Sequence, residues 1–471
     1  MPRYRYQQLE QEFAAKIQQQ RLLPGDRLPS VRQLCLQREV SKATVLRAYE
    51  RLEARGLIAA RAKSGYFVVD QEQRALPEVQ QSHELPTPAL VTTTDLMRDL
   101  MARSAAFDLT PGADGNQSTP AGLVALNRSV GRALRRQRGM QHQYYDEPAG
   151  DKLLRQQLSL RLRRRGCQID ESALTITSGC QHALFLALSC CCQPGDLVAV
   201  ESPGFYGVLQ LLEVLGLKVL EIPAAADTGL NVDALEQALD KWPIKACVVT
   251  PCFATPTGSL MPEQNRRRLL QLAEQHQFTL VEDDIYGELS FDAVTEPLKA
   301  RDLHDRVILC GSVSKSLSRD LRVGWVASER FKAQLQRQKM VTVLAGSRFS
   351  QQGLAEYLED GGYDRHLRQT NQQLQDHLQQ LTCSLQNWAV PHNYRRPQGG
   401  LALWLELPEQ VDTIGLYQQG LKHGLVLTSG RLFTTSERYQ NCLRISFAHP
   451  YTGRRLEGLE MLSQLLEQVL E

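Results

Sequence analysis

A lysine in the middle of the chain is surrounded by residues that could bind a phosphate group. Lys315 lies in the stretch Ser312-Val-Ser314-Lys315-Ser-Leu-Ser-Arg-Asp-Leu-Arg322, which short apolar runs of strand type flank on both sides. Serine hydroxyls and a guanidinium such as that of Arg322 suit a phosphate dianion. A lysine beside such a site can act as a nucleophilic amine if its pKa is lowered. The stretch therefore predicts a phosphate-bearing ligand next to a reactive amine; a solvated loop lysine is the alternative.

The elements that position this stretch alternate between strand runs and helical runs. Because apolar strands interleaved with helices form a mainly parallel sheet covered on both faces, an α/β fold is predicted for residues 108–471. Ligands of such sheets bind at the carboxyl ends of the strands, so further site residues should follow the strands. The predicted seven-stranded sheet comprises residues 173–177, 197–201, 218–222, 246–250, 279–282, 307–311 and 322–327.

Two strand ends carry residues suited to a phosphate and to an aromatic ring. After the first strand, Ser178, Gly179, Cys180 and Gln181 lead into a helix, whose first N–H groups and positive dipole end attract anions. A helix start of this kind usually has only a structural role, so it indicates a phosphate site only in combination with the stretch around Lys315. Phe205 follows the second strand, and its ring could lie flat against a ligand ring; a core aromatic is the equal alternative.

Two further strand ends supply hydroxyl and carboxylate groups. Thr255 begins the sequence Thr255-Pro-Thr-Gly258, Asp283 follows the next strand, and Tyr286 comes three residues later. A carboxylate that faces a pyridine nitrogen keeps the nitrogen protonated, and the ring then withdraws electrons. Acidic residues often end strands, so only the conjunction with the lysine makes Asp283 a candidate for that role.

Together these stretches resemble the fold-type-I aminotransferases, which bind pyridoxal phosphate. The resemblance implies that Lys315 carries the cofactor as an internal aldimine, that Asp283 faces its ring nitrogen and that Tyr286 reaches its phenolic oxygen. That family commonly has asparagine at the position of Thr255, so the donor to the phenolic oxygen is altered here. The other cofactor-binding residues that the resemblance implies are Ser178, Gly179, Cys180, Gln181, Phe205, Ser312, Ser314 and Arg322.

Two outlying segments extend this resemblance. Tyr145 begins Tyr145-Asp-Glu-Pro-Ala-Gly150, which is similar to the segment whose tyrosine reaches the phosphate of the neighbouring subunit in a dimer. Arg444, in Asn441-Cys-Leu-Arg444-Ile-Ser, is similarly placed to the arginine that binds the α-carboxylate of a substrate. A surface ion pair is the alternative role for Arg444.

The composition narrows the class of protein. A chain of 471 residues can form two or three domains, and its net charge of +2 is uneven, with +6 on residues 1–70 and −4 on the remainder. A small basic segment on a mildly acidic body indicates a nucleic-acid module joined to another domain. The sequence has no apolar run long enough to span a membrane and no signal-peptide core, and its 11 cysteines do not form the pattern of a disulfide framework or of a metal site. We therefore expect a reduced, cytoplasmic protein without membrane contact.

The basic segment has the pattern of a helix-turn-helix followed by a hairpin. Helices are predicted at residues 4–20, after the cap Ser30, and from the cap Ser41 to about residue 55. Two short strands then surround a hairpin tip, the wing, at residues 63–65. The apolar residues predicted to face the core are Val31, Leu34, Val45, Tyr49 and Leu52.

This segment resembles the winged-helix domain of GntR-type bacterial transcription regulators over nearly all of residues 5–70. The stretches Leu-Pro-Ser30-Val-Arg32 and Val-Ser41-Lys-Ala-Thr44 carry the likeness. Double-stranded operator DNA is the implied partner. The DNA-binding residues that the resemblance implies are Arg32, Lys42, Thr44, Arg47 and Gly65.

Between these parts, the polar, proline-containing residues 71–107 predict a linker that ends in a docking helix at 95–106. The predicted domains are thus 1–70 and 108–471. Within the latter, 151–379 form a large subdomain, and 108–150 and about 380–471 form a small one. The basic runs at 132–138 and 161–165 are predicted to be solvated helix faces, with a second DNA-contacting surface as the alternative.

The whole chain resembles the MocR subgroup of GntR regulators. The resemblance implies a pyridoxal phosphate-dependent transcription regulator that senses either the vitamer or an amino-compound effector. It also implies that the protein is a head-to-tail, domain-swapped homodimer. An active aminotransferase with a DNA-binding head is the alternative, because the two share every cofactor residue. A body that only dimerises the head is a third possibility, and the intact set Lys315, Asp283, Tyr286 and Arg322 argues against it.

Overall fold

The chain folds into two units, Met1–Val79 and Gln80–Glu471, here called the head and the body. The linker predicted at 71–107 and residues 62–64 at the tip of the wing lie outside the described residues. No helix in the described parts of the chain has the length and apolar character needed to cross a membrane. The computed structural model describes residues 5–18, 21–23, 25–54, 57–61, 65–68, 108–111, 120–136, 144–292 and 294–470.

The head contains the predicted three helices and hairpin. Both predicted caps form: the Ser30 hydroxyl accepts a hydrogen bond from the N–H of Gln33, and the Ser41 hydroxyl accepts one from the N–H of Thr44 at 3.2 Å. The strands β1 and β2 pair in antiparallel fashion. The elements are α1 (Arg5–Gln18), α2 (Val31–Arg38), α3 (Lys42–Ala54), β1 (Ile58–Arg61) and β2 (Gly65–Val68).

One apolar core holds these elements together. Tyr49 is fully buried, and its hydroxyl donates to the carbonyl of Pro29 at 2.7 Å, which ties α3 to the residue before the cap of α2. Leu34, Val45 and Leu52 are buried as predicted, whereas Val31 is only half-buried, because it packs at the edge of this core.

The body is built on one large sheet. Its central strands are parallel, since β5, β4, β7, β8 and β9 pair in the same direction. The order across the sheet is β3-β10-β9-β8-β7-β4-β5-β6, with β10 antiparallel to both of its neighbours. The strands are β3 (Leu174–Thr177), β4 (Leu197–Ser202), β5 (Lys218–Ala225), β6 (Gly229–Leu230), β7 (Ile244–Val249), β8 (Thr279–Asp283), β9 (Val307–Ser312) and β10 (Gly324–Ala327).

The sheet thus has eight strands where the sequence predicts seven. The additional strand, β6, is two residues long and lies at the edge, antiparallel to β5. A two-residue strand is too short to show any alternation of apolar residues, which explains why the sequence does not reveal it. The other seven strands form at the predicted positions, and their ends differ by at most three residues.

Helices cover both faces of the sheet. Val248 and Ile308 pack with α6 and α7 on one face, whereas the next residues along their strands, Val249 and Leu309, belong to cores on the other face. This alternation of two buried faces is what an apolar parallel strand requires. The helices are α4 (Ala121–Arg136), α5 (Lys152–Arg164), α6 (Cys180–Cys191), α7 (Tyr206–Val214), α8 (Val232–Leu239), α9 (Glu263–Gln275), α10 (Lys332–Thr342), α11 (Arg348–Glu359), α12 (Gly362–Leu385), α13 (Thr413–Lys422) and α14 (Arg454–Leu470).

A smaller core forms around the antiparallel pair β11 (Ala402–Glu406) and β12 (Cys442–Ser446), which pack with α12 and α14. The described residues 108–111 and 120–136 divide between the two parts of the body, since Leu109 packs in this smaller core and Leu126 of α4 packs with α5 and α11. The subdomain boundaries inferred from the sequence remain predictions. All 11 cysteines of the chain are free thiols.

Candidate cofactor site and DNA-binding face

A cavity of about 140 Å³ lies at the carboxyl ends of the central strands. The segments that follow β3, β4, β7, β8 and β9 each contribute side chains to it, as expected for a parallel sheet. Nine of the residues predicted to bind the cofactor line this space, together with Ile285, which the sequence analysis missed. The lining residues are Cys180, Gln181, Phe205, Thr255, Asp283, Ile285, Tyr286, Ser314, Lys315 and Arg322.

The amine of Lys315 lies among cationic groups. Burial lowers its pKa well below the ordinary value, and the positive charges of Arg319 and Arg444 lower it further, while Asp283 acts in the opposite direction. A lysine that loses its proton more readily is a better nucleophile near neutral pH. The surroundings of Lys315 therefore favour covalent attachment of an aldehyde to its amine.

The start of α6 and Arg322 form an anion-binding corner. Arg322 has a positive φ of 50°, and its Nη2 donates to the carbonyl of Ser178 at 3.0 Å. Gly179 has a φ of +89°, and a Cβ there would come within 2.6 Å of that same Nη2. The glycine thus leaves space for a guanidinium at a helix N-terminus, a combination that fits a phosphate group.

The two predicted serines have different positions in this corner. Ser312 is buried, donates to the carbonyl of Val323 at 3.0 Å and accepts the N–H of Ser314 at 3.0 Å. Ser314 lines the cavity. Ser312 therefore shapes the turn that carries Lys315, whereas Ser314 is placed to touch a ligand.

Asp283 ends β8 and is buried at the base of the cavity. Its Oδ1 accepts a hydrogen bond from the Cys180 thiol with an S···O distance of 3.1 Å. Burial raises the pKa of this carboxyl to about 6, and the thiol contact works against that increase. A buried carboxylate is costly unless a positive charge balances it, so the site is suited to a ligand that brings such a charge, for example a protonated pyridine ring.

Tyr286 and Thr255 lie beside each other in the lining of the cavity. Tyr286 is buried, and burial raises the pKa of its hydroxyl. Oγ1 of Thr255 is buried beside it and makes no hydrogen bond of normal geometry to any residue that the structure describes. An unsatisfied buried hydroxyl is uncommon in folded proteins, and a ligand oxygen would satisfy it. The residues present therefore fit pyridoxal phosphate at both its polar ends.

Gln181 of α6 contacts the start of α7, next to Phe205. The side-chain amide of Gln181 donates to the carbonyl of Gly207 at 2.7 Å, and this contact fixes the segment that carries Phe205. The ring of Phe205 is half-buried, with its centroid 5.0 Å from that of Tyr206. The aromatic is thus at the wall of the cavity.

Five predicted residues lie outside the cavity lining. Ser178 and Gly179 contribute backbone near Arg322, and Ser312 lies in the turn before Lys315, as described above. Tyr145 is 80% exposed. Arg444 on β12 is buried, donates to Oγ1 of Thr428 at 3.3 Å, and lines a neighbouring cavity of about 20 Å³ instead.

The sequence did not indicate the buried ion pairs that lie next to the site, after β8. Arg165 forms a two-fold contact with Asp284, with distances of 2.5 and 2.9 Å, and Arg161 pairs with Glu288. The basic run at 161–165 is therefore only partly a solvated face, because Arg161 and Arg165 turn inward to carboxylates that follow β8. The repeated acidic residue after β8, Asp284, was the one signal in the sequence that such a partner was needed.

Four of the five predicted DNA-binding residues lie on the helix-turn-helix, and the fifth, Gly65, lies in the hairpin. Arg32 on α2 and both Lys42 and Arg47 on α3 are exposed, and Arg47 is further placed over the ring of Tyr6 at 4.8 Å. Thr44 is half-buried, with its hydroxyl 2.8 Å from that of Ser41. Gly65 begins β2 with a φ of +106°, close to the side chain of Arg27, a position that favours glycine.

Two family models match the chain. The model of bacterial regulatory proteins of the gntR family matches residues 5–68, and that of aminotransferase class I and II matches residues 113–459. Two relatives in Escherichia coli (strain K12), the uncharacterized HTH-type transcriptional regulators YjiR and YdcR, are 36% and 33% identical over 99% of this chain and 100% of each relative. The 2-aminoadipate transaminase of Thermus thermophilus is 31% identical over 63% of this chain and 75% of its own length.

Solved structures resemble the body. Pyrococcus horikoshii kynurenine aminotransferase, in complex with PMP, covers 81% of this chain and 96% of its own at 25% identity, with a TM-score of 0.73. The α-aminoadipate aminotransferase of Thermus thermophilus, complexed with N-(5'-phosphopyridoxyl)-L-leucine, covers 80% and 96% at 27% identity, with a TM-score of 0.72. These neighbours and the family model imply pyridoxal phosphate as the cofactor.

The transaminase of Thermus thermophilus matches 63% of this chain, whereas the two regulators match 99% of it, head and body together. The full-length matches therefore decide the family, and the chain belongs to the MocR-type GntR transcription regulators, whose DNA-binding head is joined to an aminotransferase-like domain.

Proposed function

We propose that this regulator holds pyridoxal phosphate on the amine of Lys315 and uses the loaded body as a sensor. The lowered pKa of Lys315, in a cavity that Asp283 and Tyr286 share, is the observation that supports this most. When bound, the cofactor supplies an aldehyde carbon that exchanges amines and a ring that withdraws electrons. Borohydride reduction followed by peptide mass mapping tests the assignment: a pyridoxyl adduct on any other lysine would refute it.

Each end of the cofactor has proposed partners among the predicted residues. Arg322, Ser314 and the N-terminus of α6 hold the phosphate, with Ser178, Gly179, Cys180 and Gln181 as the first residues of that corner. Asp283 keeps the ring nitrogen protonated. Tyr286 and Thr255 bind the phenolic oxygen, and the ring of Phe205 packs against that of the cofactor. Ser312 fixes the turn. These roles are supported by the position of the residues at the carboxyl ends of parallel strands, where such sheets bind their ligands.

A carboxylate-bearing amine is the proposed effector class, with Arg444 as its anchor; the vitamer itself is the other candidate signal. The cofactor aldehyde reacts with amines generally, so selection requires a second contact. The charge of Arg444 is close enough to lower the pKa of Lys315, which supports a place within reach of the same ligand. A guanidinium fork suits a carboxylate in both shape and charge.

A head-to-tail homodimer is proposed as the working form. Tyr145, which is 80% exposed in one chain, would reach the phosphate of the partner subunit. Operator DNA would be bound by Arg32, Lys42, Thr44, Arg47 and Gly65; the exposure of Arg32, Lys42 and Arg47 supports this.

Operator binding of the parent and of Arg444→Ala, measured during titration with amino acids, separates the candidate signals. With an amino-acid effector, the variant keeps the absorption of the bound cofactor and loses the effect of the amine on DNA affinity. With the vitamer as signal, both proteins respond equally to pyridoxal phosphate. Steady conversion of amino acids to oxo acids, with operator affinity unchanged by any amine, would favour the aminotransferase alternative.

A further inference from the structure

The thiol of Cys180 contacts the carboxylate expected to control the cofactor ring. Cys180 is the first residue of α6, and both it and Asp283 are buried. Burial and the nearby charge of Asp283 raise the pKa of this thiol well above its ordinary value, so it remains protonated and can donate. A helix-start residue that offers its backbone to a phosphate therefore also directs its side chain to the carboxylate at the other end of the site.

We propose that Cys180 is a positioning residue for Asp283. The thiol of Cys180 donates to Oδ1 of Asp283 and keeps the carboxylate ionised. The proton between the carboxylate and the cofactor then stays on the ring nitrogen. This rests on the proposed role of Asp283. A hydrogen bond to the ionised form of a carboxyl stabilises that form. Without the donor, the carboxylate becomes more basic and competes for the proton of the pyridine ring.

The other groups near Asp283 do not replace this donor. Asp284 and Glu201 are acidic, and their charges disfavour a second carboxylate. Cys310 lies opposite Asp283 in the register of β8 and β9, and its thiol has a raised pKa. The favourable influences besides Cys180 are the backbone N–H of Ile285 and the charge of Lys315. The lowered pKa of Lys315 reduces the charge that its free amine carries, which increases the weight of the thiol.

The visible absorption of the loaded protein tests the proposal. A positive ring nitrogen lowers the pKa of the nitrogen that joins the cofactor to Lys315, so loss of the ring proton should raise it. In Cys180→Ala the pH at which the band shifts should therefore rise by about half a unit to one unit. Cys180→Ser, which keeps a donor, should stay near the parent value. Cys310→Ala, which removes a neighbouring buried thiol, should do the same.

An unchanged transition in Cys180→Ala, or a serine variant that behaves like the alanine variant, would overturn the proposal. The infrared S–H stretch of the cofactor-free protein gives a second measurement that needs no bound cofactor. One S–H band, absent from Cys180→Ser, should shift in Asp283→Asn because an amide oxygen is a weaker acceptor than a carboxylate. No such shift would exclude the contact. Absence of a visible band from every variant, with the infrared shift present, would instead reject Lys315 as the attachment point.

Discussion

A methyl group at Gly179 would reach the guanidinium of Arg322. The Cβ of Gly179→Ala would lie 2.6 Å from Nη2 of Arg322, and the backbone there has a φ of +89°. Gly195 also has a positive φ, +92°, but open space around a new Cβ. Gly195→Ala is therefore a control in which a positive φ is strained and Arg322 is not displaced.

A positive φ strains an alanine in both variants. At Gly179 the ψ of 175° adds to the strain, because almost only glycine adopts that combination. The strain costs about 1–3 kcal/mol, which the reduced freedom of the unfolded chain offsets by about 0.4–1 kcal/mol. Only Gly179→Ala must also move Arg322 away from the carbonyl of Ser178, to which it donates at 3.0 Å. A charge-assisted hydrogen bond contributes about 1.5–3 kcal/mol, so loss of the guanidinium from the phosphate corner should weaken cofactor binding roughly 10- to 100-fold.

Spectrophotometric titration with pyridoxal phosphate measures this affinity, and urea unfolding of the cofactor-free proteins measures the strain. Both variants should lose stability, while only Gly179→Ala loses affinity. In an Arg322→Ala background the two changes should not add, because they remove the same contact. Equal cofactor affinity in Gly179→Ala and Gly195→Ala would refute the role given to Arg322.

Three further outcomes follow. Arg165→Ala leaves the carboxylate of Asp284 buried without its partner and should destabilise the body by about 3–5 kcal/mol in urea unfolding, whereas Arg164→Ala, with 71% of that side chain exposed, should change stability by less than about 0.5 kcal/mol. Because burial raises the pKa of Asp283 to about 6, its ionisation opposes folding of the cofactor-free protein above that pH. The parent should lose about 3 kcal/mol of stability between about pH 4 and pH 6, and Asp283→Asn should remove this loss. Arg47→Ala should weaken operator binding by about 1–3 kcal/mol if the arginine reads a base, or lower the salt slope by about one if it contacts a phosphate; no change in either quantity would exclude it from the interface.

The sequence predicts the main sheet because its strands carry long apolar runs. The runs at β7 and β9 are buried on both faces, so they stand out against the helices between them. The two-residue β6 has no such signal, since it is an edge strand held by its pairing with β5. The ends of the predicted strands then indicate where the cavity lies, because parallel strands bring residues that are far apart in the chain to one edge of the sheet.

Pairings across the fold are harder to read from the chain. Arg165 and Asp284 are 119 residues apart, and nothing in the run at 161–165 indicates which arginine turns inward. The thiol of Cys180 is similar, because its position at the start of α6 predicts only a backbone role. The place of the Arg444 side chain is similar, because the motif around it does not indicate that it lines a neighbouring cavity and contacts Thr428.

The most direct measurement is the affinity of the full chain for an operator duplex selected from random DNA, with and without pyridoxal phosphate, for the parent and for Lys315→Ala. A cofactor that biases two arrangements of the chain should change the Kd of the parent by about 5- to 150-fold, because coupling energies between ligand sites are typically about 1–3 kcal/mol. Lys315→Ala should bind the operator with an affinity that the cofactor leaves unchanged. A parent whose operator affinity is the same with and without the cofactor, or a Lys315→Ala variant that responds as the parent does, would contradict a sensor built on this lysine.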